Sequence, residues 1–558
     1  MRAAQFLGVA FSALSLICCG GKPAQETAAA PWFQDIAQAS GINFVHQPGA
    51  TGQFYMPEIM GSGAALLDYD GDGDLDVLLL QGAPFDNLAS GGGCRLYRNE
   101  LVPSGKLRFT DVTRESGLDY AGYGMGVATG DIDNDGRIDV LVTGFGGNAL
   151  YRNIGGGKFR NVTSESPDIA LRGRWSTGAA FFDYDRDGRQ DLIILTYLDY
   201  SIANNKRCYA PTGEVTYCTP KVYPPTSAHL FHNEGGRFVD VTKKAGLDRA
   251  LGRGLGVAVF DANGDGWPDV FVANDASANH LWMNQRNGTF AERALESGVA
   301  YGEDGVAKAG MGVAVGDYDN DGDDDVLVLN LMREGATLFE NDGHGSFTDV
   351  SLKTGIHGIT FPYTGFGTGW FDFDNDGWVD LFLAHGAVTL REEQRGQPYP
   401  FLERNVLIRN PGGKGRFVDE SGSAGPAFAQ QGVSRGAAFG DIDNDGSIDI
   451  LVTTNNGPAR ILRNNRPHGN WLSVQIDGPS LGIGARVAVK TTGLPELWRR
   501  VHTDSSYLSA SDPRVHFGLG DATRIEHVTV YWPDGSKSIY EGGAVKVNSV
   551  FHATRQAR

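Results

Sequence analysis

DIDNDGRID, residues Asp131 to Asp139, is the most informative stretch of this chain. It places aspartates at positions 1, 3, 5 and 9 and Gly136 at position 6. This spacing suits a hard cation such as Ca²⁺, which takes roughly six to eight oxygen ligands, and the glycine allows the sharp turn that gathers the first three carboxylates. The apolar run Val140, Leu141 and Val142 follows at once and predicts a strand. We therefore predict a calcium loop that leads into a strand.

The same nine-residue pattern occurs seven times, so the chance that it is only a solvated acidic turn is small. The predicted metal ligands at positions 1, 3, 5 and 9 are Asp68, Asp70, Asp72 and Asp76; Asp131, Asp133, Asp135 and Asp139; Asp183, Asp185, Asp187 and Asp191; Asp261, Asn263, Asp265 and Asp269; Asp317, Asp319, Asp321 and Asp325; Asp372, Asp374, Asp376 and Asp380; and Asp441, Asp443, Asp445 and Asp449. We refer to these as loops one to seven. The sequence predicts up to seven Ca²⁺ ions.

The loops do not match the EF-hand, the obvious rival. An EF-hand carries a glutamate at position 12 and a helix on each side of the loop. Here position 12 is apolar in every copy, namely Leu79, Val142, Ile194, Val272, Val328, Leu383 and Val452. The loops are therefore predicted to join strands.

A longer frame surrounds each loop and predicts four short strands per repeat, which is typical of a propeller blade. A glycine-rich strand precedes the loop, and after the apolar strand come segments like Leu150 to Asn153 and Phe159 to Thr163. The seventh repeat ends at Asn464 without its last strand, and Trp32 to Ile36 can supply it. We therefore predict an all-β, seven-bladed propeller over residues 32–465, closed by its N-terminal strand.

This frame resembles the FG-GAP (VCBS) repeats of integrin-type β-propellers, from residue 32 to about 465. The resemblance implies that the matching aspartates hold Ca²⁺ between adjacent strands of a blade. Two residues depart from the pattern. Asn263 keeps an oxygen ligand but removes a charge, so loop four is expected to be weaker. Asp324 occupies the position at which other loops carry Leu75, Ile138, Val379 and Ile448, and it is expected to add local repulsion.

The repeat stops at Arg466, and residues 466–558 are predicted to form a second, smaller β-rich domain. Gly469 to Leu472, Gly482 to Val487, Ser505 to Ser509 and His516 to Gly520 resemble the ASPIC/UnbV module. The whole chain resembles the cartilage-acidic-protein-like (CRTAC) family, whose members are known chiefly as extracellular calcium-binding proteins. That resemblance implies no established reaction.

Four residues of this domain have two interpretations: Arg486, Tyr507, Arg514 and His516. They could line a small anion or glycan site. We favour the alternative, in which they anchor loops through ion pairs and pack in the core.

The N-terminal residues predict export. In residues 1–19, Arg2 precedes an apolar run from Phe6 to Ile17, which has the size of a signal sequence and is too short to span a bilayer. The segment around Cys19 resembles a bacterial lipoprotein box, so lipidation of Cys19 is expected, with plain secretion as the alternative. Residues 20–31 are predicted to form a flexible tether. The protein is thus expected on the cell envelope or outside it, reaching a membrane only through a lipid anchor.

Cys208 and Cys218 bracket a short insertion in the third repeat. Export permits a disulfide between them, and two free buried cysteines are the alternative. Cys94 has no evident partner.

Charge and motifs limit the possible functions. The net charge is −19, and 27 of the 67 acidic residues are loop aspartates, so nucleic-acid binding is disfavoured. Common catalytic motifs are absent. His229 and His232 are predicted to point to opposite faces of a strand, which argues against a metal role, and Asp275 and His385 are weak candidates for the central channel.

Two functions remain. The favoured one is a calcium-stabilised surface scaffold that binds an extracellular protein or glycan through long loops such as residues 204–225 and 391–403. The alternative is a propeller hydrolase or lyase acting on polysaccharide. Whether the protein is an enzyme stays open, and we lean against it.

Overall fold

The computed structural model describes residues 30–88, 92–211, 213–388, 401–413 and 415–555. The predicted signal sequence, Cys19 and nearly all of the tether lie outside the described residues, as do residues 391–400 of one long loop. Within the described part, no helix has the length and apolar character needed to cross a membrane. The described residues from Pro31 onward form one compact unit.

The repeat region folds into seven antiparallel sheets of four strands each. Their strands, in spatial order, are Ala64–Leu67, Asp76–Leu80, Cys94–Asn99 and Phe109–Asp111 in sheet one; Tyr123–Gly130, Asp139–Phe145, Ala149–Asn153 and Phe159–Asn161 in sheet two; Ser176–Phe182, Asp191–Thr196, His229–Asn233 and Phe238–Asp240 in sheet three; Gly254–Phe260, Asp269–Asn274, His280–Asn284 and Phe290–Glu292 in sheet four; Val313–Gly316, Asp325–Val328, Thr337–Asn341 and Phe347–Asp349 in sheet five; Gly365–Phe371, Asp380–His385, Val406–Arg409 and Val418–Asp419 in sheet six; and Ser434–Gly440, Asp449–Thr454, Arg460–Asn464 and Phe33–Asp35 in sheet seven. Each acidic loop joins the first strand of its sheet to the second.

Sheet seven draws its fourth strand from the N-terminal end of the described chain. Phe33 pairs with Asn464 and Asp35 pairs with Leu462 in an antiparallel register. The core of the repeat region lies between neighbouring sheets, and one apolar cluster packs Ala438 and Leu451 of sheet seven against Leu66 and Val77 of sheet one. The sheets therefore succeed one another in a circle, and the architecture is all-β and propeller-like.

The second strands are buried on both faces, which explains why their sequences are mostly apolar. The fourth strand ends in a short turn that fixes it to the third. In sheet one, the Asp111 carboxylate accepts hydrogen bonds from the backbone and hydroxyl of Thr113, and the Thr113 hydroxyl accepts the N–H of Leu96 at 2.9 Å. The Asp-Val-Thr end of the repeat therefore connects the fourth strand to the third by hydrogen bonds.

The helices are short and lie in connections. The α-helices are Ala37–Ser40, Pro57–Met60, Leu101–Ser104, Thr113–Ser116, Thr242–Ala245, Ala294–Ser297, Ser351–Thr354, Ile356–Thr360, Ser421–Ala424 and Pro426–Ala429. The 3₁₀ turns are Thr163–Glu165, Pro167–Ala170, Ile202–Asn204, Pro220–Val222, Leu247–Arg249 and Pro479–Gly482. Two further strand pairs, Cys208–Tyr209 with Val215–Thr216 and Glu403–Arg404 with Gln431–Gly432, lie in the long connections.

The C-terminal residues form two sheets around a core of their own. One sheet has the order Val515–Gly520, Asn470–Ile476 and Ser549–Ala553, and the other has the order Leu497–Arg500, Arg486–Thr491, Ile525–Tyr531 and Lys537–Glu541. Leu472, Val487 and Phe517 are fully buried between them.

A segment of this C-terminal part, residues 502–512, lies among the first strands of the repeat sheets. We call it the central segment. Ala510 donates its N–H to Ala64 at 2.9 Å, Val127 donates to the carbonyl of Leu508 at 3.0 Å, and Ser506 donates to Val313 at 2.5 Å. A Cβ on Gly63 would lie 1.6 Å from the Leu508 carbonyl oxygen, so only glycine permits this close approach. The central segment thus contacts sheets one, two and five at once.

Candidate metal centres

The seven loops share one backbone scaffold, built around the aspartate at position 1. In loop two the Asp131 carboxylate accepts the N–H groups of Asp135 and Gly136, each at 3.0 Å. The equivalent pair of hydrogen bonds occurs in the other six loops at 2.7–3.1 Å. Gly136 has a φ of +81°, which glycine adopts without strain. The first carboxylate therefore shapes the loop as well as facing its centre.

The aspartate at position 9 connects the loop to the sheet. In loop two the Asp139 carboxylate accepts the N–H of Ile132 at 2.8 Å and the N–H of Asn153 at 2.6 Å. Asn153 is the asparagine that ends the third strand, and an asparagine occupies this place in all seven sheets. Its N–H group thus holds the last predicted ligand in position.

The side chains of these asparagines link neighbouring loops. Asn233 of sheet three donates from Nδ2 to the carbonyl oxygen of Ile132 in loop two at 2.8 Å. The corresponding donors and acceptors, at 2.7–3.1 Å, are Asn99 to Ile442, Asn153 to Tyr69, Asn284 to Tyr184, Asn341 to Ala262, Asn410 to Tyr318 and Asn464 to Phe373. Seven such bonds complete a circle through the loops. The recurrence of asparagine at the end of the third strand was the sequence signal for this role, and sequence reasoning missed it.

The carboxylates at position 3 fit a bound cation. Buried Oδ1 atoms without a hydrogen-bond partner occur in five of the loops, at Asp70, Asp185, Asp319, Asp374 and Asp443. Ligand atoms from positions 1, 3 and 9 lie within 4.8 Å of one another in loops one, two and five, and those from positions 1, 3 and 5 do so in loop three. A buried, unpartnered carboxylate oxygen is costly unless a cation or donor satisfies it. The donor set is all oxygen in these groups, as hard divalent cations require.

Burial disturbs the ionisation of these carboxylates. Burial, with a further contribution from neighbouring carboxylates, raises the pKa of Asp139 and Asp317 to about 7 and that of Asp372 to about 8. The backbone N–H groups described above act in the opposite direction and only partly compensate. The charged form of each loop therefore needs a nearby positive charge.

Loop four has an amide, Asn263, at position 3, where the other loops have a carboxylate. The Asn263 side chain donates to Asp265 Oδ2 at 3.2 Å, and Arg286 donates to the same oxygen at 2.7 Å. The carboxylate at position 5 is thus already paired with protein donors. Arginine also pairs with the position 5 carboxylate in loops two and three, as Arg137 does with Asp135 and Arg189 with Asp187. The expected weakness of loop four therefore still depends on the charge that Asn263 removes.

Asp324 was expected only to repel the neighbouring carboxylates, but it also lies close to an arginine. Its side chain is 8% exposed and lies 4.0 Å from Arg500 Nε of the C-terminal part. Its charge does contribute to the raised pKa of Asp317, so part of the expected repulsion exists. The sequence analysis overlooked the compensating arginine because Arg500 comes from a distant segment.

The C-terminal part contacts the loops directly. The N–H of Ser480 donates to Asp131 Oδ2 at 3.1 Å, and Arg466 lies 3.0 Å from Asp374 Oδ2. His516 Nε2 lies 2.7 Å from the side-chain oxygen of Asn375 in loop six, and Arg486 donates to the carbonyl oxygen of Gly322 in loop five. Loops two, five and six therefore form part of the surface on which the C-terminal part sits.

These contacts support the anchoring interpretation of the four C-terminal residues. Besides Arg486 and His516, the Tyr507 hydroxyl donates to the carbonyl of Met60 at 3.1 Å, and Arg514 pairs with Asp512 at 2.7 Å. Each side chain is thus engaged with the protein itself.

Asp275 and His385, the two channel candidates, are each held by local partners. Asp275 accepts a hydrogen bond from the Tyr197 hydroxyl at 2.5 Å. His385 is fully buried, stacks on Tyr363 with ring centroids 4.8 Å apart, and places Nδ1 3.0 Å from the carbonyl of Arg404. They belong to different sheets and have separate partners.

The two histidines of sheet three have different surroundings. His232 faces loop three, where its Nδ1 lies 3.0 Å from Asp191 Oδ1 and 3.5 Å from Asp185 Oδ2. His229 packs against Phe231 in the same strand. Sequence reasoning treated the two as a pair, and therefore missed that one of them joins the predicted carboxylate ligands.

Cys208 and Cys218 form a disulfide, and Cys94 is a buried free cysteine. The insertion closed by this disulfide packs against residues that precede sheet one in the sequence. Tyr217 donates to Glu58 Oε2 at 2.8 Å and its ring lies 5.1 Å from that of Phe54.

Comparison with known proteins agrees with this architecture. The FG-GAP-like repeat family matches residues 68–142, 131–194, 261–328 and 317–383, and the ASPIC and UnbV family matches residues 477–557. Cartilage acidic protein 1 of Xenopus tropicalis is 29% identical over 76% of this chain and 72% of its own length, and the Homo sapiens protein is 25% identical over 76% and 71%.

Among solved structures, an Agrocybe aegerita lectin that recognises non-reducing terminal N-acetylglucosamine aligns with a TM-score of 0.39 and 18% identity, over 66% of this chain and 84% of its own. The FG-GAP repeats, the ASPIC and UnbV domain and the match over three quarters of the chain coincide. The chain therefore combines FG-GAP-like repeats with an ASPIC and UnbV domain, and it is similar to cartilage acidic protein 1 over about three quarters of its length.

Proposed function

We propose that this protein is an exported, calcium-stabilised β-propeller of seven blades that serves as a scaffold for binding an extracellular protein or glycan. The observation that carries the calcium assignment is the buried, unpartnered Oδ1 atom at position 3 of five loops, beside the carboxylates of positions 1 and 9. Bound Ca²⁺ would coordinate these oxygens, which have no hydrogen-bond partner. All seven loops have the same scaffold, so each is a candidate site.

Calcium in this proposal is structural. Each ion would join the first and second strands of a sheet through positions 1, 3, 5 and 9. Because the asparagine bonds connect position 2 of one loop to the next sheet, order in one loop is transmitted to its neighbour. The C-terminal part then rests on loops that the metal has ordered. Metal binding and folding are thermodynamically coupled when the unfolded chain offers no preformed site.

The face that carries the loops is partly covered by the C-terminal part, which favours the opposite face for partner binding. The connections between second and third strands lie at that opposite end, and the disulfide-closed insertion is the longest described one. Tyr209 at its tip is 60% exposed. Long loops on a rigid framework are common binding elements.

Side chains fill the centre of the repeat region, and this favours the scaffold function over the polysaccharide hydrolase or lyase function. The central segment occupies the space between the first strands, and Tyr507 and Leu508 pack there with Met60, Tyr123 and Phe366. A propeller enzyme that works from its channel needs an open channel. Among the described residues, the centre is instead part of the apolar core.

Binding is tested with calcium-loaded protein lacking residues 1–29, in a glycan array and in affinity capture from extracellular material of the source. The proposal expects a calcium-dependent ligand whose binding is reduced by Tyr209→Ser. The matched control is Tyr531→Ser on the C-terminal part, where Tyr531 is also exposed. Equal binding with and without calcium, or turnover of polysaccharide by pure protein, would contradict the proposal.

A further inference from the structure

Loop three differs from the other six loops in the side chain that faces its carboxylates from the third strand. The residue before the asparagine that ends this strand is Arg98, Arg152, His232, Met283, Glu340, Arg409 and Arg463 in sheets one to seven. Arg152 pairs with the position 3 carboxylate Asp133 at 3.2 Å and Arg463 pairs with Asp443 at 2.5 Å, whereas Arg98 and Arg409 pair with Glu100 and Glu420. A guanidinium carries a permanent charge and has no lone pair for a metal. An imidazole has one.

The imidazole of His232 lies within a compact donor group. Its Nδ1 is 3.0 Å from Asp191 Oδ1 and 3.5 Å from Asp185 Oδ2, and the ligand atoms of the three residues all lie within 4.8 Å of one another. The Asp191 side chain is 0% exposed. Asp185 Oδ1 is buried and lacks a hydrogen-bond partner. The group thus contains one nitrogen donor, one buried carboxylate and one unsatisfied carboxylate oxygen.

The surrounding residues hold this arrangement. The N–H groups of Tyr184 and Asn233 donate to the two oxygens of Asp191 at 3.1 and 2.8 Å, which fixes the carboxylate. The Tyr184 ring packs edge-on against His232, with centroids 6.0 Å apart. His232 is 23% exposed, so an ion has access from solvent.

Ligand chemistry separates this loop from the rest. Calcium takes oxygen ligands, whereas imidazole is a preferred ligand of zinc and other divalent transition metals. Zn²⁺ binds both imidazole nitrogen and carboxylate oxygen, usually with four ligands. In the other loops the residue at this position is arginine, methionine or glutamate, and none of these supplies an imidazole nitrogen.

We propose that loop three binds a divalent transition-metal ion through Asp185, Asp191 and His232. Zn²⁺ is the ion used to test this proposal. The other loops take Ca²⁺. Asp183 and Asp187 supply additional carboxylates from the same loop. This inference rests on the proposal that the loops are metal sites and specifies the metal of one of them.

The test is a difference in metal content. Wild-type protein and His232→Arg are dialysed against low Zn²⁺ in a large excess of Ca²⁺, and zinc and calcium are measured in the same samples by elemental analysis. His232→Arg converts the position to the residue found in sheets one, two, six and seven. We expect wild type to hold about one equivalent of zinc more than the variant, and Co²⁺-substituted wild type to show a nitrogen-ligand spectrum that the variant lacks. Subtraction removes zinc bound by other surface histidines.

The gain-of-site variant is Arg152→His, which places an imidazole beside Asp133 and Asp139 in loop two. It is expected to add about one equivalent of zinc. If His232→Arg does not fold, as judged by circular dichroism with calcium, Arg152→His decides. If His232→Arg folds and holds as much zinc as wild type, the inference is overturned. If His232→Arg does not fold, the absence of added zinc in Arg152→His overturns it.

The calcium values separate this inference from the proposed function. Normal calcium with equal zinc contradicts only the assignment of loop three. Protein that binds no calcium contradicts the proposed function, whereas a histidine-dependent zinc equivalent in that protein would still support the assignment of loop three.

Discussion

Asn99 donates a hydrogen bond from its side-chain nitrogen to the carbonyl oxygen of Ile442 at 3.0 Å, which joins sheet one to loop seven. The same side chain donates to Leu75 at 3.2 Å, and the Asn99 N–H donates to Asp76 Oδ1 at 2.8 Å. One residue thus connects two loops and one predicted metal ligand. This is the point at which the first and last repeats meet.

Replacement of this asparagine tests the coupling between loops. Asn99→Ala leaves two buried carbonyl groups without their donor, which costs roughly 1–3 kcal/mol for an unsatisfied buried group. We expect a lower denaturation midpoint and weaker calcium binding, because the N-terminal and C-terminal ends of the circle are loosened. The control is Asn465→Ala, since Asn465 is exposed. Equal effects of the two substitutions would contradict a coupling role for Asn99.

Asp135 and Asp324 test which acidic residues are ligands. Asp135→Ala removes a predicted ligand, so we expect it to reduce the rise in Tm that calcium produces. Asp324→Ala should retain that rise, although it removes the counter-charge of Arg500 and can lower Tm at all calcium concentrations. The measurement is thermal unfolding of each variant with and without calcium. A full calcium response in Asp135→Ala would show that the ligand assignment is wrong.

The pH dependence of metal-free protein follows from the raised pKa values. Asp139, Asp317 and Asp441 have folded-state pKa values of about 7, above the ordinary value of 3.8. Between these values the folded protein binds more protons than the unfolded chain, so its stability falls as pH rises from about 4 to 7. Calcium should abolish or reverse this trend. Tm measured across that range in calcium-free buffer checks the sign, and a metal-free stability that increases with pH would contradict it.

Gly446 and Gly136 separate backbone strain from contact with the C-terminal part. Both lie at position 6 with φ values of +89° and +81°. A Cβ on Gly446 would meet Trp471 at 2.0 Å, whereas one on Gly136 would meet nothing within 4 Å. We expect Gly446→Ala to be clearly more destabilising and to change tryptophan fluorescence. If the two variants lose the same stability and keep the same emission, the contact between loop seven and Trp471 is not formed.

Features encoded in one short stretch were predictable from the sequence. The spacing of Asp131, Asp133, Asp135 and Asp139 alone predicted the loop, because the turn and its ligands are local. The apolar residue at position 12 excluded the helical flank of an EF-hand. The strand order also followed, since each repeat contains its own turns.

Features that depend on distant segments were not predictable. The central segment is mostly small and polar, and resembles an ordinary loop until Leu508 and Tyr507 are placed beside Val127 and Met60. Arg500 reaches Asp324 only because the C-terminal part sits on the loops. His232 is separated from Asp191 in the sequence by the long insertion, and the two residues meet only because their strands pair.

The most direct test of calcium-dependent stability is calorimetric unfolding of the protein, first with saturating calcium and then after complete calcium removal. If bound calcium holds the circle of loops together, calcium removal should lower Tm by several degrees or more, and re-addition of calcium should restore it. A ligand that binds only the folded state raises the stability of that state. A Tm that is the same in both states would contradict the account.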